Sequence, residues 1–210
     1  MSFLSLIMPN KCIVCGKALG RDEYVCPTCR PLVERLEQTP RNGERAGASY
    51  DRCFVPFIYN KGIQLAITRM KFGDRPAAYR YFAREIAAML NVRPDFVTFV
   101  PQNRKTRHER GYNQTELIAR EIGRILKLPV KSTLVRSEHG SKQVELGYAK
   151  RLENAKKLYR AKGGALCGSC LIVDDVITTG ATMKACCDIL RRQGCTEVYA
   201  AAAARTLKKT

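Results

Sequence analysis

Tryptophan is absent from this 210-residue chain, and nine Tyr with seven Phe hold the aromatic share to 8%. A protein that grips single-stranded nucleic acid by stacking bases on rings needs more platforms than that. Long apolar runs are absent too: nothing approaches the ~20 residues that a membrane-spanning helix requires. The front run, Phe3 to Met8, is shorter than the about 7–15 residues of a signal-peptide core, and no basic residue precedes it. A cytoplasmic location is the expectation. Acidic side chains are scarce, 19 Asp and Glu against 37 Lys and Arg, for a net charge of +18. The rest of the composition, 45% hydrophobic and 27% charged, is that of a globular chain and excludes wholesale disorder.

The positive excess is concentrated. Residues 100–165 carry 16 basic and 6 acidic side chains, +10 of the +18. Such a field gathers polyanions such as phosphates, pyrophosphate or nucleic acid. A solvated basic face that only aids solubility is the bland alternative.

Ten cysteines would suit a disulfide framework in a secreted protein, but nothing in the chain routes it outward. Four of them form two Cys-x-x-Cys knuckles, Cys12-Ile-Val-Cys15 and Cys26-Pro-Thr-Cys29. Each knuckle can wrap two thiolates around one Zn²⁺, and together they complete a tetrahedron. Gly16 suits the tight reversal after the first knuckle. A segment this short buries little, so a structural metal would supply most of its folding energy. Cys167 and Cys170 form a third Cys-x-x-Cys without a matching pair, open to core packing or redox chemistry. Cys53, Cys186, Cys187 and Cys195 read as small hydrophobes.

Three parts follow: a zinc ribbon over residues 1–37, a Gly- and Pro-rich linker over 38–49, and a domain over 50–210. Phe54 to Tyr59 is β-prone but interrupted by Pro56, as in an edge strand. Helical patterns cover Ile63–Phe72 and Pro76–Leu90, and Phe96–Val100 is a short strand ending at Pro101. Asn113 with Glu116 three residues on signals the start of a helix that keeps an apolar face until Pro129. Leu171–Val173 and Val198–Ala204 read as buried strands, separated by a helix from about Thr182 to Gln193. Alternating strands and helices imply an α/β fold with a mostly parallel sheet and flanking helices.

The segment Leu171-Ile-Val-Asp-Asp-Val-Ile-Thr-Thr-Gly-Ala-Thr182 is the richest in chemistry. A strand delivers two adjacent carboxylates, Asp174 and Asp175, and small hydroxyl residues with Gly180 lead into a helix. Backbone N–H groups of Thr178, Thr179, Gly180, Ala181 and Thr182 can form an anion nest at that helix start. The carboxylates repel a phosphate, so they face sugar hydroxyls or a divalent metal. Farther back, Arg104, Lys105, Arg107 and Arg110 put four cations within seven residues, just past a strand ending at Pro101. That cluster suits a pyrophosphate group or a nucleic-acid backbone. His108 has no partner identifiable from sequence. The polar stretch 137–160 reads either as a mobile hood over the site or as an exposed helix, since Val144, Tyr148, Leu152 and Ala155 recur at helical spacing.

Val173-Asp-Asp-Val-Ile-Thr-Thr-Gly-Ala-Thr182 resembles the phosphoribosyl pyrophosphate (PRPP) motif of type I phosphoribosyltransferases. The resemblance implies that Asp174 and Asp175 hold the ribose hydroxyls, that Thr178 to Thr182 hold the 5′-phosphate, and that Mg²⁺ accompanies PRPP. Together with the double knuckle, further pieces resemble the ComF family over nearly the whole chain. They are Tyr59-Asn-Lys-Gly62, Met70-Lys-Phe-Gly73, Arg110-Gly-Tyr-Asn-Gln114, Gln143-x2-Leu146-x4-Arg151-x2-Asn154 and Ala204-Arg205. One turn departs: Phe99-Val-Pro-Gln-Asn103 stands where the family has Val-Pro-Val-Pro before its pyrophosphate loop. The family implies a part in natural transformation, with incoming single-stranded DNA and other competence proteins as partners. Two readings therefore stand side by side. One is ribosyl transfer from Mg²⁺–PRPP to an acceptor that no residue specifies. The other is a non-catalytic single-stranded-DNA-binding protein on the same scaffold.

Overall fold

The computed structural model describes residues 10–20, 23–37, 49–72, 78–137 and 148–207, and in the last segment side chains from 152 onward. The sequence-expected linker therefore lies, apart from Ser49, outside the described residues, as do Gln143 and Leu146.

The ribbon consists of β1 (Asn10–Lys11) and β2 (Ala18–Leu19), paired antiparallel, and a 3-10 turn over Pro27–Leu32. Then come β3 (Arg52–Phe54), β4 (Phe57–Ile58), α1 (Lys61–Lys71), α2 (Ala78–Met89), β5 (Phe96–Phe99), α3 (Arg104–Arg110) and α4 (Gln114–Leu126). β6 (Leu134–Arg136), α5 (Tyr148–Leu158), β7 (Tyr159–Ala161), β8 (Ser169–Ile177), α6 (Ala181–Arg192) and β9 (Glu197–Arg205) complete the order.

The central sheet is parallel, in the order β3–β9–β8–β5, and β4 continues the edge that β3 begins along β9. Pro56 divides that edge into two short strands because it has no N–H to give a ladder. Its carbonyl instead accepts the Leu36 N–H at 2.9 Å, and the Ile58 N–H donates to the Glu34 carbonyl at 3.1 Å. The tail of the ribbon thus covers an edge that would otherwise offer free backbone groups.

Side chains alternate across the sheet between two apolar cores. Val97, Phe99, Leu171, Val173, Ala201 and Ala203 face one, with Ile63, Phe82, Ile118 and Ile122 from α1, α2 and α4. Phe96, Cys170, Ile172, Val198, Ala200 and Ala202 face the other, with Met183, Cys186, Cys187 and Leu190 from α6. Helices on both faces explain why Cys170 to Val173 is an unbroken apolar run, each residue fully buried. Ala200 to Ala204 are equally buried, and their small side chains let α2 and α6 lie close against β9 from opposite faces.

The first core also takes in Cys12, Ile13 and Val14, so the ribbon is packed into the same hydrophobic cluster as α1 and α2. Tyr24 meets Tyr81 with ring centres 5.5 Å apart, and Arg84 lies 5.3 Å from the centre of the Tyr24 ring. Gly62 is in direct contact with the Leu32 carbonyl, a place where a β-carbon would overlap backbone.

Three elements differ from the sequence reading. The strand expected at Leu171–Val173 runs on to Ile177, because Asp174 and Val176 keep their register with Ala202 and Ala204 of β9. The basic cluster is helix α3, started by Asn103, whose side chain accepts the Lys105 N–H at 2.8 Å, and stopped by left-handed Gly111 (φ 75°). At α4, Asn113 caps by accepting the Thr115 N–H at 3.1 Å, while Glu116 turns away to Arg120 at 2.8 Å, so the expected reciprocal cap is half formed. Within 137–160 the helical pattern is realised as α5, which leads into β7.

Candidate functional site

The parallel strands end on a common side, where ligands of such sheets collect. β5 stops at Phe99, opposite Val173, while β8 continues for four more residues. Asp174 and Asp175 thus stand on a strand whose neighbour has already turned away. A cavity of about 280 Å³ opens there, lined by Pro101, Gln102, Thr106, Arg110, Gln114, Arg136, Tyr159, Asp174 and Asp175 among others. Thr115 fixes one wall: its hydroxyl donates to the Val100 carbonyl at 2.7 Å, which pins the start of α4 to the end of β5.

The bend after the strand has its own pit of about 30 Å³, room for two or so water-sized groups. Thr178, Thr179, Gly180, Ala181 and Thr182 all line it. Gly180 is left-handed (φ 79°) and directly precedes α6, a conformation that favours glycine. The Thr179 hydroxyl accepts the Ala181 N–H at 3.4 Å, and Thr206 donates to the Thr178 carbonyl at 3.3 Å. Asp174, Val176 and Thr182 line both cavities, so the carboxylate cavity and the bend are neighbours that share a wall.

The two carboxylates differ. Burial pushes the Asp174 carboxyl up to about 7, reinforced by the negative charge of Asp175, despite the Asp175 N–H that donates to it at 2.8 Å. Asp175 pairs with Lys71 at 2.6 Å and accepts the Gln114 amide at 3.2 Å. Across the cavity Arg136 lies 5.8 Å from the centre of the Tyr159 ring, its register partner in the antiparallel β6–β7 pair. Arg136 Nε and Gln102 Oε1 are both buried and have no hydrogen-bond partner among the described residues. Buried polar groups of that kind call for a polar ligand or water. Two carboxylates, cationic walls and a bend at a helix start suit a sugar phosphate accompanied by a divalent cation.

The basic cluster is divided by its helix. Arg110 and Thr106 face the carboxylate cavity together with Pro101. Arg104, Lys105 and Arg107 face a separate, shallow depression of about 630 Å³, shared with His108 and Gly111. Lys71, Gln114, Arg136 and Tyr159 were not singled out as site residues from sequence. Lys71 and Gln114 lay within the Met70–Gly73 and Arg110–Gln114 pieces, which were the available signal. Arg136 and Tyr159 flank a polar stretch and left none.

At the ribbon, Cys12, Cys15, Cys26 and Cys29 bring their sulfurs within 4.8 Å of one another. Cys15 and Cys26 are 3.7 Å apart, close to the about 3.8 Å edge of a sulfur tetrahedron with about 2.3 Å metal–sulfur bonds. Burial raises the Cys12 thiol, but N–H groups of Cys15, Cys26 and Val14 outweigh it and bring the thiol down to about 6. Burial and the surrounding sulfurs push Cys29 up to about 12. The set can hold a metal ion. Elsewhere Cys167 is exposed and Cys170 is a buried free thiol that meets Cys195 through a thiol–thiol hydrogen bond, and burial holds the Cys170 thiol well above its ordinary range.

The Phosphoribosyl transferase domain family matches residues 81–210, which contain β5, β8, the bend and β9. The chain belongs to that family. The ComF resemblance also holds, across nearly the whole length including the ribbon. Competence protein F of Haemophilus influenzae is 27% identical over 89% of this chain and 86% of its own. DNA utilization protein YhgH of Escherichia coli O157:H7 is 26% identical over 93% of this chain and 90% of its own. Among solved structures, a glutamine PRPP amidotransferase from B. subtilis, complexed with ADP and GMP, is 22% identical with a TM-score of 0.43. It matches 59% of this chain, which spans only 25% of that protein. Among the described residues no helix is long and apolar enough to cross a membrane.

Proposed function

We propose that this ComF-family chain binds Mg²⁺–PRPP and serves DNA uptake in natural competence, either through that ligand or by ribosyl transfer. The observation that carries the reading is that the carboxylate cavity and the Gly180 bend lie side by side, sharing Asp174, Val176 and Thr182 as a common wall. Asp174 and Asp175 take the ribose hydroxyls, and Thr178 to Thr182 take the 5′-phosphate on the N–H groups at the start of α6. Pro101 and Arg110 flank the diphosphate. Magnesium, when bound, supplies charge neutralisation for the diphosphate. The names Competence protein F and DNA utilization protein support the competence role.

For transfer, an acceptor nucleophile forms a bond to the anomeric carbon while the carbon–oxygen bond to pyrophosphate breaks. The residues of this chain position the sugar, stabilise charge on the leaving diphosphate and exclude water. The ribbon binds structural Zn²⁺ through Cys12, Cys15, Cys26 and Cys29. In this reading residues 1–37, 38–49 and 50–210 act as ribbon, linker and transferase-like domain, in the cytoplasm.

A second reading is favoured by α3, whose Arg104, Lys105 and Arg107 line a depression separate from the carboxylates. Three cations on an open face suit a single-stranded DNA backbone. Calorimetry with Mg²⁺–PRPP tests the main reading. Asp174→Ala with Asp175→Ala is expected to abolish PRPP binding and to leave DNA binding intact or slightly stronger. Unchanged PRPP affinity would show the ligand assignment to be wrong.

A further inference from the structure

Lys71 is the last residue of α1, and its ammonium lies 2.6 Å from Asp175 Oδ2. α1 precedes the matched transferase segment, residues 81–210, so this cation reaches the carboxylate pair from outside it. Its place is fixed by packing. Ile63, Ala66, Ile67 and Met70 bury one face of α1. The Tyr112 hydroxyl donates to the Met70 carbonyl, and Arg110 lies 5.1 Å from the centre of the Phe72 ring. Both neighbours of Lys71 therefore meet the end of α3 and the turn that follows it. The Lys71 side chain keeps a quarter of its surface open (26%), so it sits at the rim of the site rather than inside a wall.

Resting on the PRPP reading, we propose that Lys71 is a diphosphate ligand held in reserve. In this structure it neutralises Asp175. When a sugar phosphate takes the carboxylates, the ammonium leaves Asp175 for the diphosphate at the same rim. A compact charge on a flexible four-carbon stem suits such an exchange, and a diphosphate offers it several anionic oxygens where one carboxylate offers two. The exchange makes and breaks no covalent bond. It links two events: the sugar hydroxyls gain access to Asp175 as the leaving group gains a cation.

Calorimetry on the full chain separates this role from a structural one, using Mg²⁺–PRPP and ribose 5-phosphate, which lacks the diphosphate. Lys71→Met is expected to weaken PRPP binding about tenfold or more while ribose 5-phosphate binds unchanged or tighter, since Asp175 is released. Lys71→Arg is expected to restore most of the PRPP affinity. Parallel weakening of both ligands, or no change for PRPP, overturns the proposal. If Lys71→Met lowers the melting temperature, Lys71→Gln with the same ligand pair decides. A wild-type chain that binds neither ligand overturns the site reading itself; one that binds both, with no selective effect at Lys71, overturns only the role of Lys71.

Discussion

Phe99 ends β5 directly opposite Val173, so Asp174 is the first residue of β8 beyond the neighbouring strand. That four-residue overhang presents a strand-borne carboxylate pair to a cavity while the ladder to β9 goes on, with Asp174 still facing Ala202. The bend that follows inherits its position from the same strand. Its properties lead to the first prediction.

Gly180 holds φ at 79°, a value that strains any residue with a β-carbon. Gly180→Ala is expected to destabilise the chain by about 1–2 kcal/mol and to weaken ribose 5-phosphate binding. Urea unfolding and calorimetry check both. Full retention of phosphate affinity would remove the bend from the binding site.

Asp174 yields a pH prediction with a definite sign. Its carboxyl keeps a proton to about 7 in the folded chain, against an ordinary value of 3.8. Between those values the folded state binds more protons than the unfolded one, so stability falls as pH rises from about 4 to 7 and levels off above. Asp174→Asn is expected to flatten that part of the curve, read by urea unfolding across the window. Binding of a ligand that needs the ionised carboxylate is expected to strengthen from pH 6 to 8.

Metal removal from the ribbon is expected to reach beyond it, because Ile13 and Val14 pack in the cluster that holds Phe57 and Phe82. Metal analysis is expected to find about one Zn²⁺ per chain, and a chelator to lower the melting temperature of the whole protein. A zinc-free chain with an unchanged melt contradicts this.

Charge removal on α3 is expected to separate the two ligands. Replacing Arg104, Lys105 and Arg107 by Ala is expected to weaken single-stranded DNA binding and to reduce its salt slope by up to about 2. PRPP affinity stays within about twofold, since Arg110 remains on the carboxylate side. Equal loss of both ligands would merge the two faces.

Much of this was legible because it is local. The knuckle spacing brings the four sulfurs together, and the apolar–acidic–hydroxyl–glycine order of 171–182 is realised as strand, carboxylates, bend and helix. Alternation of strands and helices predicts the parallel sheet. Tertiary contributions were not legible. Nothing in the spacing of Lys71 or Arg136 says that α1 and the β6–β7 pair converge on β8, because that depends on which faces pack. Arg104 to Arg110 looked like one cluster in a line, yet a helix turns about 100° per residue and sends its cations to two faces. The length of β8 was underestimated for a related reason. Aspartates are poor strand formers, but the ladder to β9 overrides that preference.

A structure of the chain crystallised with ribose 5-phosphate tests the central claim most directly. The account predicts the phosphate among the N–H groups of 178–182 and the ribose hydroxyls on Asp174 and Asp175. Sugar density elsewhere, or a phosphate on Arg104, Lys105 and Arg107 with Asp175 still paired to Lys71 and Gln114, would contradict it.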